Sequence, residues 1–157
     1  MRRSHKFVTA GALVGVLVCV LLIAAGPAMA DGTYHSQHIA FMPVNGAPLK
    51  AGFLENIHAN GPQIFGRELY VLVGAMPLTQ FQGTVQIYLD PRLSQYAGAL
   101  STTTFSTNKA GNGVGDFVLP PSGVPAAFRH STLYLIWQLS VDREVVYETS
   151  PSTVTLD

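Results

Sequence analysis

After residue 30 the chain alternates apolar and polar residues with a period of two, and residues 132–147 carry the longest such run. Leu133, Leu135, Trp137, Leu139 and Val141 share one phase; Tyr134, Ile136, Gln138 and Ser140 share the other. Successive side chains of a strand point to opposite faces, so this spacing predicts a strand with one dry face and one mixed face. Asp142-Arg143 reads as a turn into a second β-rich run, residues 144–147. The run holds the only tryptophan, and the remaining strands are expected to assemble around it.

The same reading places further strands at residues 38–44, 49–57, 68–75, 83–89, 100–107, 114–119 and 153–156. Leu69, Val71 and Val73 alternate with Tyr70 and Leu72, and Val85, Ile87 and Leu89 alternate with Thr84, Gln86 and Tyr88. Residues 49–57 are mixed: Leu49, Ala51, Phe53, Glu55 and Ile57 fall against Lys50, Gly52, Leu54 and Asn56. Pro43 confines its strand to an edge or an end, since proline gives no donor to a ladder. Asn45-Gly46 is a tight-turn signal, and Asn60-Gly61-Pro62, Pro77, Asp90-Pro91 and Pro151 break the chain. Residues 92–99 are irregular, with room for one helical turn, and 120–128 read as a proline-rich loop. No helical period occurs after residue 30. Seven to nine short strands in one domain imply an all-β fold of two packed antiparallel sheets, a β-sandwich. A small closed barrel is the alternative.

Residues 1–30 stand apart. Arg2, Arg3 and Lys6 precede an almost wholly apolar stretch from Phe7 to Gly26, and Ala28-Met29-Ala30 follows. A basic start, an apolar core and a small-x-small box form a secretory signal peptide. An uncleaved anchor is the competing reading, since about 20 apolar residues span a bilayer. Gly26-Pro27 ahead of the box favours cleavage, which leaves residues 31–157 as one domain outside the cytoplasm: secreted, periplasmic or on the cell surface. The only cysteine, Cys19, lies inside the apolar stretch. An exported domain without disulfides must be held by its core alone, which points to a bacterial rather than a eukaryotic scaffold. Six basic residues then face nine acidic ones, a net charge of −3. A charge-poor, mildly acidic surface argues against nucleic acid or an anionic membrane as partner. The membrane would be met only through the signal peptide.

Two stretches carry a family resemblance. Phe105-Ser-Thr-Asn-Lys-Ala-Gly-Asn-Gly113 and Tyr70-Val-Leu-Val-Gly-Ala-Met-Pro-Leu-Thr79 resemble a glycine turn and its upstream strand in immunoglobulin-like (Ig-like) modules of bacterial exported and surface proteins. The resemblance runs over about residues 68–139 and implies an Ig-like sandwich in a binding or spacing role. Asn108 stands where the pattern has an acidic residue, and the loop around residues 92–98 is longer than usual. Gly111, Asn112 and Gly113 suit a turn that needs positive φ.

Candidate chemistry is sparse. Asn108, Asn112 and Asp116 have part of a calcium-loop spacing, but Ala110 and Leu119 stand where further ligands are needed. His35, His38, His58 and His130 read as surface histidines near turns, because residues three apart on a strand face opposite ways; no metal or cofactor is expected. The sequence has no nucleophile elbow, no zinc-protease motif and no phosphate loop, so no enzyme activity is expected. Glu55, Glu68, Asp90, Asp116, Asp142, Glu144 and Glu148 read as solvated charges at turns and strand ends. Tyr70, Tyr88 and Tyr134 fall opposite the aliphatic phase of their strands. If those strands share a sheet, the three form an outer face able to hold sugar or protein. The expected function is therefore a secreted, non-catalytic module binding an extracellular protein or a polysaccharide, or acting in adhesion or spacing. The alternatives are a carbohydrate-binding module on the tyrosine face and a small secreted hydrolase.

Overall fold

The computed structural model describes residues 34–59 and 65–156, so the signal segment lies outside the described residues. Nine strands account for nearly all of the secondary structure: β1 Tyr34–Pro43, β2 Ala51–Ala59, β3 Phe65–Val73, β4 Gln80–Tyr88, β5 Tyr96–Ser106, β6 Gly113–Leu119, β7 Ser131–Val141, β8 Glu144–Thr149 and β9 Ser152–Leu156. Two single-turn 3-10 helices, Pro121–Gly123 and Ala126–Phe128, precede β7. The chain is all-β, as its alternation predicts.

All pairings are antiparallel. The strands follow one continuous path, β5-β4-β7-β8-β1-β2-β3-β6, and β9 pairs with β7. Strand β1 joins the two halves of the sheet. Its first seven residues pair with β2, and Phe41–Pro43 pair with β8. The two ends of the path meet along a β5–β6 seam, where a Cβ on Gly115 would stand 2.5 Å from the Phe105 ring. The sheet therefore nearly closes on itself, barrel-like, which lets each strand bury one face without a second layer of different structure.

Two turns follow directly from residue type. Asn45-Gly46 and Asp142-Arg143 both take positive φ at both positions (54° and 73°, 49° and 74°). That is the mirror-image turn whose twist matches a hairpin. Asp142-Arg143 closes the tight hairpin between Val141 and Glu144. The glycine turn behaves otherwise than its sequence suggests. Only Gly111 of Gly111, Asn112 and Gly113 has positive φ (76°), and a Cβ there would lie 2.2 Å from the Ala75 carbonyl oxygen.

Residues 92–99 are not helical. The Asp90 carboxylate accepts hydrogen bonds from the N–H groups of Arg92, Ser94 and Gln95 at 2.6–2.9 Å. This pins a short turn, so β5 begins at Tyr96 rather than at residue 100.

The interior is filled unevenly along the barrel axis. One half is packed by the large side chains Phe41, Tyr70, Phe81, Phe105, Trp137 and Tyr147, with Leu54, Leu72 and Leu139. The other half holds a smaller cluster of Val124, Leu133, Val154 and Leu156. Its wall also includes Gly66, Ala97, Gly98 and Ala99. Small side chains at wall positions leave the space unfilled. The 3-10 segment lies against this end, with Val124 buried.

Candidate functional site

The unfilled half is a partly enclosed cavity of about 360 Å³, walled mainly by aliphatic side chains that include Val85, Ile87, Leu133, Leu135, Val154 and Leu156. Among the described residues, Asn56, His58 and Glu68 are the only side chains bearing amide, imidazole or carboxyl groups in its lining. They arrive there through strand register. Asn56 on β2 pairs with Glu68 on β3, and His58 pairs with Gly66. Paired residues share a face with Cβ atoms roughly 5 Å apart, so Asn56 and Glu68 lie side by side, with His58 one step along the same face.

All three are buried, with relative exposures of 4%, 6% and 8%. Glu68 is well held. The Trp137 indole N–H donates to Oε1 at 2.7 Å, and the Tyr70 hydroxyl donates to Oε2. Tyr70 also meets the Thr102 hydroxyl at 2.7 Å. A glycine makes this meeting possible: a Cβ on Gly83 would stand 2.5 Å from Thr102 Oγ1. Burial raises the Glu68 carboxyl above its ordinary value, against the pull of the two donated hydrogen bonds. Burial, then the charge of Glu68, pushes the Tyr70 hydroxyl well up. Burial, helped by His35, lowers His58, so its imidazole is neutral at pH 7. Among the described residues, Asn56 Nδ2 and His58 Nδ1 have no hydrogen-bond partner. Buried polar atoms are nearly always paired, so two orphans beside a cavity mark a place where a ligand or solvent belongs.

No protein-family model matches this chain, and no curated protein or solved structure does either.

The residues expected from the sequence are partly redistributed. Tyr70 is not on an outer face: Glu68, Tyr70 and Leu72 point inward, and Leu69, Val71 and Val73 point outward. The aliphatic phase of β3 misleads because its inward phase carries the polar anchors. Tyr88 and Tyr134 do lie opposite the cavity-lining Ile87 and Leu135, and they are register partners. Tyr96, missed in the sequence, completes a row across β7, β4 and β5. It pairs with Tyr88 and packs edge-on against it at 5.5 Å. The Tyr88 hydroxyl is tied to Gln86, which in turn donates to Gln138.

Two further expectations change. Glu68 is not a solvated edge charge, and His58 is not a surface histidine; His35 stacks on it with ring centroids 4.9 Å apart. The calcium-loop oxygens are engaged within the chain. Asn108 Oδ1 accepts from the N–H groups of Ala110 and Asn112, and Asn112 Oδ1 accepts from that of Gly74. Asp116 forms a two-pronged pair with Arg67. The one signal that could have revealed the cavity floor is the phase shared by Leu54, Asn56 and His58 on β2.

Proposed function

We propose that this protein is an exported, non-catalytic binding module whose ligand is a small, largely apolar molecule held in the open half of the barrel. The observation that carries this reading is the apolar cavity with two unpartnered buried polar atoms at Asn56 and His58. Ligand pockets combine an apolar wall with a few fixed polar groups in this way. Export rests on the N-terminal segment and on the lack of any cysteine after Cys19. The Ig-like reading, with the two halves of the sheet as its layers, draws support from a contact between the two resembling stretches. The N–H groups of Ala75 and Leu78 donate to the carbonyls of Gly111 and Asn108 at 3.0 and 3.2 Å.

The test uses 1-aminonaphthalene, a neutral probe small enough for the cavity whose emission reports dry surroundings. The purified protein is expected to bind it at a single saturable site. Leu135→Trp, which puts a large ring into the cavity, is expected to reduce binding at least tenfold with the fold intact by circular dichroism. Equal probe binding by wild type and variant would remove the cavity from the account.

A second reading has its own observation, the row Tyr134–Tyr88–Tyr96 with the Gln86–Gln138 amide pair beside it. Aromatic rows bind sugars through apolar contact area and polar tips. Retention on insoluble polysaccharide is expected to fall several-fold in Tyr88→Ala/Tyr96→Ala. Retention unchanged by that double variant would exclude the row.

A further inference from the structure

We infer that the cavity selects a ligand carrying a hydroxyl group at its buried end: an apolar alcohol or phenol rather than a ketone, ether or hydrocarbon. This rests on the cavity reading above and adds the chemistry of the floor.

Asn56 Nδ2 is an amide donor with no partner, so it calls for an acceptor. An ionised Glu68 calls for a donor, because a carboxylate only accepts. The Tyr70 hydroxyl donates to Oε2 and is met in turn by the Thr102 hydroxyl. Trp137 occupies one lone pair of Oε1, and a carboxyl oxygen has two. The remaining acceptor capacity of Glu68 is what the cavity meets.

A donor is therefore wanted at Glu68 and an acceptor at Asn56, two side chains paired across neighbouring strands. One hydroxyl group supplies both from a single oxygen. A ketone or an ether satisfies Asn56 alone, and a hydrocarbon satisfies neither. The volume bounds the rest of the ligand. At the roughly 30 Å³ that a water occupies in the liquid, a cavity of about 360 Å³ takes on the order of a dozen heavy atoms. The aliphatic wall calls for those atoms to be mainly carbon.

The experiment displaces 1-aminonaphthalene from the purified protein with decanol, decanone and methyl nonyl ether, three compounds matched in heavy-atom count. Decanol is expected to displace the probe at about tenfold lower concentration than the other two, the worth of one buried hydrogen bond. Asn56→Leu is expected to weaken all three about equally while the probe still binds. Glu68→Gln, its fold checked by thermal unfolding, is expected to narrow the lead of decanol because an amide oxygen is a weaker acceptor than a carboxylate. Equal displacement by the three compounds with the probe bound overturns the hydroxyl assignment and leaves the cavity reading standing. Unchanged decanol affinity in Asn56→Leu also overturns it. Failure of the probe to bind at all overturns the cavity reading, and this inference with it.

Discussion

Glu68 is the residue on which the interior turns. A carboxyl buried among apolar groups costs stability when ionised unless donors surround it. Here Trp137 and Tyr70 provide two, and burial still raises its pKa above the ordinary 4.5. A raised carboxyl pKa contributes stability that is fully present below pH 4.5 and is lost as pH rises through the folded value. Glu68→Gln removes that dependence. The stability of the variant relative to wild type is therefore expected to increase as pH rises from about 4.5, by about 1.4 kcal/mol for each unit that the carboxyl is raised, and then to level off. Urea unfolding of both proteins between pH 4 and 8 measures it. A pH-independent difference would mean that Glu68 titrates as an exposed group. Nothing in the spacing marks this role, because a glutamate between Arg67 and Leu69 looks like any strand-end charge. Only the register with Asn56 and the reach of Trp137 from β7 make it a core residue.

At the scale of elements, period-two alternation located all nine strands, and turn chemistry located the sharp hairpins. It did less well on which face points inward. In β7 the apolar phase is the buried one, since Leu133, Trp137 and Leu139 are in the core. In β3 both phases are apolar enough to serve, and the choice falls to Tyr70 because its hydroxyl can reach Glu68 and Thr102. Alternation reports that faces differ; it cannot rank two faces when polar groups are paired inside. The start of β5 was misplaced for a similar reason, because the Asp90 carboxylate organises its turn through backbone N–H groups that leave no mark on hydrophobic spacing. The Asp142-Arg143 hairpin yields a direct prediction. A non-glycine residue in the left-handed region costs about 1 kcal/mol, and Arg143 has φ 74°. Replacing the pair by Asn-Gly is expected to raise stability by about 0.5–1 kcal/mol in thermal or urea unfolding. A loss of stability would show that the Arg143 side chain contributes contacts outweighing that strain.

The described residues form a nearly closed sheet that is solid at one end and open within at the other. The large rings of Phe41, Tyr70, Phe81, Phe105, Trp137 and Tyr147 fill the solid end. Gly66, Ala97, Gly98 and Ala99 in the wall leave the other end with space. That division could not be read from the sequence, because a cavity depends on which residues from seven strands and a 3-10 segment meet at one height along the barrel. The all-β class and the antiparallel pairing were legible; the cavity and its floor were not. A crystal structure of the purified protein grown with decanol decides whether the open half of the barrel holds a ligand. Electron density for the alcohol is expected inside the barrel, its oxygen within hydrogen-bond reach of both Asn56 Nδ2 and the Glu68 carboxyl. A collapsed interior, with Val124 and Phe128 packed down onto Glu68 and no room for a ligand, would contradict it.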